Sequence, residues 1–217
     1  MDAVIIAGGK GSRMESHIPK PLMLAKNKPI ISWQINYLYN SGLFDRIILA
    51  LGHKGELVRK YFSKKYKGKD IKCVIEKKLL GTAGALRNCI SYARSDFILV
   101  FNCDDLTDIN LKKLTKNKEN TLCVAHPRLQ FGRVKEKNGY AVFEEKPLLD
   151  DWVSCGWYVF DRKKIEKKLP KKGMLEYDVF PKIKLRMFKH SGFWKPLNTK
   201  KDINEFNEMK IPKVLGK

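Results

Sequence analysis

The chain has 217 residues, of which 43% are hydrophobic, and a formal net charge of +21. This length and composition fit one α/β domain with a substantial core and exclude a disordered chain. No apolar run reaches the roughly 18 residues that a membrane-spanning helix needs. The residues after Met1 enter a strand directly instead of forming a basic and apolar leader, so we expect a cytoplasmic protein with no membrane partner.

Lysines spread along the chain supply most of the positive charge. No segment interleaves arginines with aromatic residues and no nucleic-acid-binding module is recognisable, so we expect no nucleic-acid partner. A positive field would instead help to attract a phosphorylated substrate. The five cysteines form no C-x-x-C pair and the four histidines are scattered, so we expect neither disulfides nor a zinc cluster.

Apolar segments of strand length alternate with helical patterns in the first half of the chain. In order, the sequence predicts a strand at 2–7, a helix at 29–39, a strand at 46–51, a helix at 55–66, a strand at 71–76, a helix at 83–93 and a strand at 97–102. Each strand is apolar throughout, which indicates burial on both faces and is typical of a parallel sheet.

The pattern changes in the second half. The sequence predicts a strand at 121–125, a hairpin that joins 133–134 to 140–143 around Asn138-Gly139, a strand at 153–160 and helical pieces at 162–168 and 200–209. We therefore expect a single domain, 1–217. Its first part, 1–110, would be a nucleotide-binding half, and 111–217 would add a lid or an acceptor site to the same sheet.

A glycine-rich segment, A-G-G-K-G-S-R-M, follows the first strand, and Pro19-Lys20-Pro21-Leu22 comes shortly after it. It matches neither G-x-x-x-x-G-K-[ST] nor G-x-G-x-x-G. Three glycines in four residues allow main-chain N–H groups to turn towards one point and bind an anion. Arg13 adds a planar fork for phosphate oxygens, and the flanking prolines limit where Lys20 can reach. The segment therefore predicts a triphosphate site.

The same segment resembles the signature of the sugar-1-phosphate nucleotidylyltransferases. Further segments are similar to that family in the same order along nearly the whole chain: Leu80-Gly81-Thr82-Ala83-Gly84, Asn102-Cys103-Asp104, Glu145-Lys146-Pro147, Cys155-Gly156-Trp157-Tyr158 and Leu175-Glu176-Tyr177-Asp178. The resemblance implies a three-layer Rossmann-like (GT-A-type) α/β fold with a mixed, mainly parallel central sheet. It also implies the reaction of an NTP with a sugar 1-phosphate to give an NDP-sugar and pyrophosphate, with Mg²⁺ as cofactor.

Roles for individual residues follow from the resemblance. Arg13 and Lys20 would be catalytic, and Asp104 and Asn198 would ligate the metal. The nucleotide would be bound by Ala7, Gly8, Gly9, Gly11, Ser12, Gly81 and Thr82. The sugar phosphate would be bound by Gly132, Glu145, Lys146 and Gly156.

Asn198 departs from the family pattern. The segment Gly192-Phe193-Trp194-Lys195-Pro196-Leu197-Asn198-Thr199 resembles that of the glucose-1-phosphate cytidylyltransferases, which have aspartate at the position of Asn198. An amide oxygen can coordinate Mg²⁺ but brings no charge, so metal affinity should fall unless a neighbour such as Asp105 contributes. The tail favours CTP, while GTP, UTP and dTTP stay open, as do the sugar and homo-oligomerisation. A non-sugar phosphate acceptor and a non-catalytic nucleotide-binding role are the alternatives.

Overall fold

A seven-stranded sheet lies at the centre of the computed structural model, which describes residues 1–14, 16–66 and 68–216. The strands are β1 (Asp2–Ala7), β2 (Leu24–Ala25), β3 (Lys28–Pro29), β4 (Arg46–Leu51), β5 (Ile71–Ile75), β6 (Phe97–Asn102), β7 (Asp105–Thr107), β8 (Thr121–Ala125), β9 (Arg133–Lys137), β10 (Tyr140–Glu144), β11 (Val153–Asp161), β12 (Arg186–His190) and β13 (Trp194–Pro196). The α-helices are α1 (Ile30–Ser41), α2 (Gly55–Lys65), α3 (Gly81–Ile90), α4 (Leu111–Lys116), α5 (Arg162–Glu166) and α6 (Lys200–Glu208).

The strand order in the central sheet is β12-β8-β11-β6-β1-β4-β5. β11 is antiparallel to both of its neighbours, β6 and β8, whereas the pairs β1–β4, β1–β6, β4–β5 and β8–β12 are parallel. The sheet is therefore mixed and mainly parallel, and the α/β fold class expected from the sequence is confirmed.

Two apolar clusters cover the faces of the sheet. Within β1, Ala3 and Ile5 belong to the cluster under α1 and α2, whereas Val4 belongs to the cluster under α3 and α5. Successive side chains of a strand point to opposite faces, so a strand buried on both faces has to be apolar at every position. This is why the core strands appear in the sequence as continuous apolar runs.

Short strands that the sequence did not predict bring distant segments to the edge of the cleft. β13 pairs antiparallel with β7, so that Pro196 lies opposite Asp105 and Trp194 opposite Thr107. Strands of two or three residues carry too little periodicity to be recognised from sequence. The pairing places the segment that ends at Asn198 directly beside the end of β6.

Helix ends differ from the sequence predictions by a few residues. α3 begins at Gly81 and ends at Ile90, although the pattern predicted 83–93. Gly81 has φ +76°, and a Cβ atom there would overlap the Gly173 carbonyl oxygen, so this entry turn requires glycine. In the described part of the chain, no helix is both long and apolar enough to cross a lipid bilayer.

Candidate active site

A cleft of about 550 Å³ opens at the carboxyl ends of β1 and β6. In open parallel sheets this edge is the usual ligand site. The cleft is lined by these residues predicted from the sequence: Ala7, Gly9, Gly11, Ser12, Arg13, Lys20, Thr82, Asp104 and Asn198. Of the other predicted residues, all within the described ranges, these lie outside the lining: Gly8, Gly81, Gly132, Glu145, Lys146 and Gly156.

The glycine-rich loop turns tightly on the floor of the cleft. A 3₁₀ turn at Ser12–Met14 is closed by the Met14 amide, which donates to the Gly11 carbonyl at 2.8 Å. Gly11 has φ +62°, and a Cβ atom there would lie 3.2 Å from the Cβ of Lys20. Glycine is therefore required both by the backbone conformation and by the closeness of Lys20. Met14 is buried and anchors the loop, which leaves the Arg13 side chain exposed at the cleft.

Lys20 projects into the cleft from a second 3₁₀ turn, Lys20–Leu22. Pro19 precedes the turn and Pro21 is buried within it, so the backbone that carries Lys20 is stiff. The ammonium forms an ion pair with Asp104 Oδ2 and lies 3.4 Å from Asn198 Oδ1. Three of the predicted residues thus meet at one point.

Asp104 and Asn198 are held by backbone contacts on either side of that point. The Leu197 amide donates to the Asp104 carbonyl at 2.8 Å, which continues the β7–β13 pairing. The Asn198 amide donates to Asp202 Oδ2 at 2.9 Å, next to the capping box that Thr199 and Asp202 form at the start of α6. The Asn198 backbone is therefore held at the entry to α6.

The oxygens of Asp104 and Asn198 fit a hard divalent cation. Both converge on the positive ammonium of Lys20, which stands where a cation would be bound. Carboxylate and amide oxygens together with phosphate oxygens are the donors that such a cation prefers. Among the described residues, no group of three His, Cys, Asp or Glu side chains comes together as a metal site.

Asp105 is a buried carboxylate beside Asp104, and the sequence suggested it only as a neighbour that could contribute to the metal site. Its Oδ2 accepts from Asn102 Nδ2 at 3.2 Å and its Oδ1 from Trp194 Nε1 at 3.1 Å. Burial, and then the neighbouring Asp104 charge, raise the pKa of Asp105 to about 7. Because Asn102 and Trp194 each donate to one of its oxygens, Asp105 is held in place in the wall of the cleft.

Gly156 lies underneath Asp105. It has φ +76°, and a Cβ atom there would overlap the Asp105 carboxylate and come within 2.8 Å of Asn102 Nδ2. The residue sits where the register of β11 against β8 shifts, between Ser154 and Tyr158. The structure thus places Gly156 as a packing glycine behind the cleft, with Ser154 in the lining.

Thr82 and Glu176 form the opposite wall of the cleft. The Thr82 hydroxyl lies 3.3 Å from Glu176 Oε2 and accepts from the Leu175 amide at 2.8 Å. Glu176 belongs to a π-helical turn, Leu175–Val179, and lines the cleft together with Met174. The sequence signal for Glu176 is its place in the L-E-x-D run, which by itself indicates no role for this residue.

Glu145 and Lys146 follow the β9–β10 hairpin and lie outside the cleft lining. Their side chains are exposed, with Lys146 Nζ 3.8 Å from Glu145 Oε1, and Lys146 has φ +44°. Gly132 lies at the same open end of the hairpin, just before β9, and a Cβ atom there would overlap the Phe143 ring. The sugar-phosphate role of these three residues stays a prediction.

Glu76 is a further acidic residue at the edge of the glycine-rich loop. It follows β5, and its Oε1 lies close to Gly8 and Gly52, where Cβ atoms would be 3.1 and 3.0 Å away. Its Oε2 is buried and has no hydrogen-bond partner among the described residues. Burial raises the pKa of Glu76 and the Leu80 amide partly offsets this shift. No motif marked Glu76, because a single acidic residue after a strand is common.

Comparisons with known proteins agree with this geometry. The profile of the family described as Nucleotidyl transferase matches residues 2–194. The "Probable glucose-1-phosphate cytidylyltransferase" of Bacillus subtilis is 31% identical, with 96% of this chain and 96% of that protein covered. A D-glycero-alpha-D-manno-heptose 1-phosphate guanylyltransferase of Campylobacter jejuni is 35% identical, with 67% of this chain and 69% of that protein covered.

The solved structure of HddC from Yersinia pseudotuberculosis in complex with GMP-PN superimposes with a TM-score of 0.77 at 24% identity. The superposition covers 95% of this chain and 98% of the HddC chain, and it shows that the two proteins share a fold. Fold, cleft and relatives together define an enzyme of the nucleotidyltransferase class. The chain belongs to the nucleotidyl transferase family, among the sugar-1-phosphate nucleotidylyltransferases.

Proposed function

We propose that this enzyme transfers the nucleotidyl group of GTP to a sugar 1-phosphate, with Mg²⁺ as the divalent cation. The observation that carries the general reaction is the meeting of Lys20, Asp104 and Asn198 beside the glycine-rich loop in one cleft. A sugar-phosphate oxygen would form a bond to the α-phosphorus while the bond from that phosphorus to the β-phosphate bridging oxygen breaks. Pyrophosphate leaves with the electron pair of the broken bond.

The residues of the cleft would act by position and charge. The loop amides and Arg13 would hold the β- and γ-phosphates and stabilise the leaving pyrophosphate. Lys20 would neutralise charge at the α-phosphate, because its stiff turn holds the ammonium in the middle of the cleft. Asp104 and Asn198 would hold Mg²⁺, which when bound supplies charge neutralisation on the phosphate oxygens.

The sugar phosphate would bind on the side of the hairpin. Lys146 and Glu145 stand at the end of β10, and Lys146 Nζ would reach the attacking phosphate while Glu145 accepts from sugar hydroxyls. Ser154 and Glu176 line the adjoining wall and offer further oxygen acceptors for hydroxyl groups. A polyhydroxylated acceptor such as a hexose or heptose 1-phosphate suits this set of groups.

Glu76 supports guanine as the base. A carboxylate accepts hydrogen bonds and cannot donate them when ionised. The Watson–Crick edge of guanine presents two adjacent donors, N1–H and N2–H. That of cytosine presents one amino donor beside two acceptors, and that of uracil or thymine one donor between two acceptors. Glu76, whose Oε1 lies next to Gly8 and whose Oε2 has no hydrogen-bond partner among the described residues, therefore matches guanine best.

CTP is the second candidate nucleotide. The segment that ends at Asn198 resembles the corresponding segment of the cytidylyltransferases, and a cytidylyltransferase is among the relatives. That segment contacts the metal side of the cleft, which carries no information about the base. The carboxylate at Glu76 therefore weighs more in the choice of nucleotide.

The reaction is tested by mixing the protein with each of GTP, CTP, UTP and dTTP, a panel of hexose and heptose 1-phosphates and Mg²⁺, and measuring released pyrophosphate. We expect release with GTP and at least one sugar 1-phosphate. The Lys20→Met variant should be slower by about 10²- to 10³-fold, which controls for contaminating enzymes. Absence of pyrophosphate for every pair, or equal rates in Lys20→Met, would refute the proposal.

A further inference from the structure

The β9–β10 hairpin and its flanking residues carry a cluster of exposed apolar side chains. Its residues and those flanking it leave large hydrophobic side chains in solvent: Phe131 (76% exposed), Val134 (60%), Tyr140 (78%), Phe143 (64%) and Leu148 (53%). The register pairs Val134 with Phe143 on one face and puts Val142 and Tyr140 on the other, so both faces are involved. An exposed apolar patch of this kind marks an interaction site in soluble proteins.

The hairpin also has open edges. It forms a two-stranded sheet of its own, and no other strand in the described ranges pairs with the outer edge of β9 or β10. A two-stranded sheet with both faces in water is only marginally stable alone. Unpaired main-chain groups along an edge readily accept another strand.

The two edges differ in charge. β9 carries Arg133, Lys135, Glu136 and Lys137 within its five residues, and lysines on an edge strand discourage pairing. β10 has no charged residue before Glu144, and the Glu144 carboxylate is already bound by Arg133 at 2.9 and 2.5 Å. β10 is therefore an uncharged edge beside a protected one.

We propose that a second copy of this chain pairs with β10, so that the two β10 strands lie antiparallel across a twofold axis. The contact is isologous: each copy offers the same uncharged stretch, Tyr140 to Phe143, and the two hairpins become one four-stranded sheet with the cationic β9 strands outermost. Such a twofold contact gives a closed dimer, and the two edges that remain open are the charged β9 strands.

Charge favours a second copy at this place rather than elsewhere on the surface. Each chain carries a net charge of +21, so two copies repel one another in general. Residues 131–148 contain four basic and three acidic side chains, which makes this segment nearly neutral. Two copies therefore meet here with little electrostatic repulsion and with apolar surface to bury. The proposal does not depend on the nucleotide or sugar that the enzyme uses.

Sedimentation equilibrium of the full chain tests the proposal, with Val142→Lys on β10 and Val134→Lys on β9 as a matched pair. Both valines are exposed in the same hairpin, so both variants should fold, which circular dichroism checks. We expect a mass of two chains for the unmodified protein. Val142→Lys should weaken the dimer by about 100-fold or more, because it opposes like charges at the contact, while Val134→Lys has a several-fold smaller effect.

Two results would overturn the proposal. A monomer at every concentration would mean that this edge does not bind a second copy and serves another partner or none. Equal dissociation by both variants would mean that the contact is not made by the β10 edge, because Val134 lies on the other strand and on the opposite face of the hairpin from Val142. Pyrophosphate release by the same samples reports separately on the reaction, so loss of the dimer and loss of catalysis are distinguished.

Discussion

Two oxygens of unequal charge face Lys20. Asp104 binds the ammonium with a full carboxylate, whereas Asn198 offers only an amide oxygen at 3.4 Å. A divalent cation bound at this point would gain one formal negative charge from the protein. The rest of its charge would have to be balanced by the phosphates of the substrates. Metal and nucleotide binding should therefore be strongly coupled in this enzyme.

Replacing Asn198 with aspartate tests this coupling. Asn198→Asp adds a second carboxylate at the same point, so Mn²⁺ affinity without nucleotide should rise by about 10-fold, and the Mg²⁺ concentration for half-maximal rate should fall. Mn²⁺ binding is measured by electron paramagnetic resonance. Asn204→Asp, at an exposed position on α6, the helix that begins just after Asn198, adds the same charge away from the cleft and should leave affinity nearly unchanged. Equal affinities for Asn198→Asp and the unmodified chain would exclude residue 198 as a ligand.

Glu76 should decide between bases. In Glu76→Gln one carboxylate oxygen becomes an NH₂ group, so one acceptor for the guanine N1–H and N2–H pair is lost. The KM for GTP should rise by about 5- to 150-fold, the range expected for a bidentate contact of 1–3 kcal/mol. The KM for CTP and UTP should change less or fall. Steady-state kinetics with all three nucleotides measures this, and a uniform change across them would indicate that Glu76 has only a structural role.

At the scale of secondary-structure elements, the irregularity in β11 connects the core to the cleft. Gly156 adopts φ +76° at the register shift, which lets the Asp105 carboxylate approach the strand while Asn102 and Trp194 donate to it. Asp105 is the first residue of the short strand β7 and directly follows Asp104. A change in β11 would therefore reach the proposed metal ligand through packing.

A pair of glycine substitutions separates backbone strain from this packing. Gly139 has φ +81° and no other described atom within 4 Å of an added Cβ, so Gly139→Ala should lose only about 1–2 kcal/mol of unfolding free energy. Gly156→Ala has the same strain and also overlaps Asp105, so it should lose at least about 1–3 kcal/mol more and lower turnover. Urea unfolding measures both variants. Losses of equal size would show that the contact with Asp105 contributes little.

The elements that could be predicted from sequence are those whose signal is local. β1, β4, β6 and β8 have the bounds that their apolar runs indicated, because a strand buried on both faces is marked at every position. β7 and β13 were missed because each has three residues, and their pairing joins positions about ninety residues apart. That long-range pairing creates the contact between Trp194 and Asp105.

The candidate site divides in the same way. The glycine-rich loop and Lys20 were predictable, since their conformations are set by glycines and prolines within one short segment. The position of Glu145 and Lys146 depends on how the hairpin is oriented relative to the central sheet, which local sequence does not determine. Glu76 could not be recognised because its proximity to Gly8 arises only when β1, β4 and β5 align.

At the scale of the whole molecule, the net charge of +21 affects the association of substrates with the protein more than it affects the chemical step. Both substrates are anions, so the summed positive field should raise their concentration near the cleft and speed association. Salt screens such a field: the Debye length is about 10 Å at 0.1 M ionic strength and about 3 Å at 1 M. Contacts made at hydrogen-bond distance within the cleft are screened much less.

A higher ionic strength should accordingly raise KM and leave kcat nearly unchanged. Between about 0.05 and 0.5 M potassium chloride we expect the KM for the nucleoside triphosphate to rise by about 3- to 10-fold while kcat stays within about twofold, because chemistry occurs after encounter. Inhibition by the uncharged nucleoside guanosine is the control, and its inhibition constant should hardly move, since a neutral ligand is not drawn by the field. A fall of kcat with salt, in parallel with the rise of KM, would contradict this prediction. It would mean that the charges act on the bound transition state, so that the lysines around the cleft have catalytic roles and do not only attract the substrates.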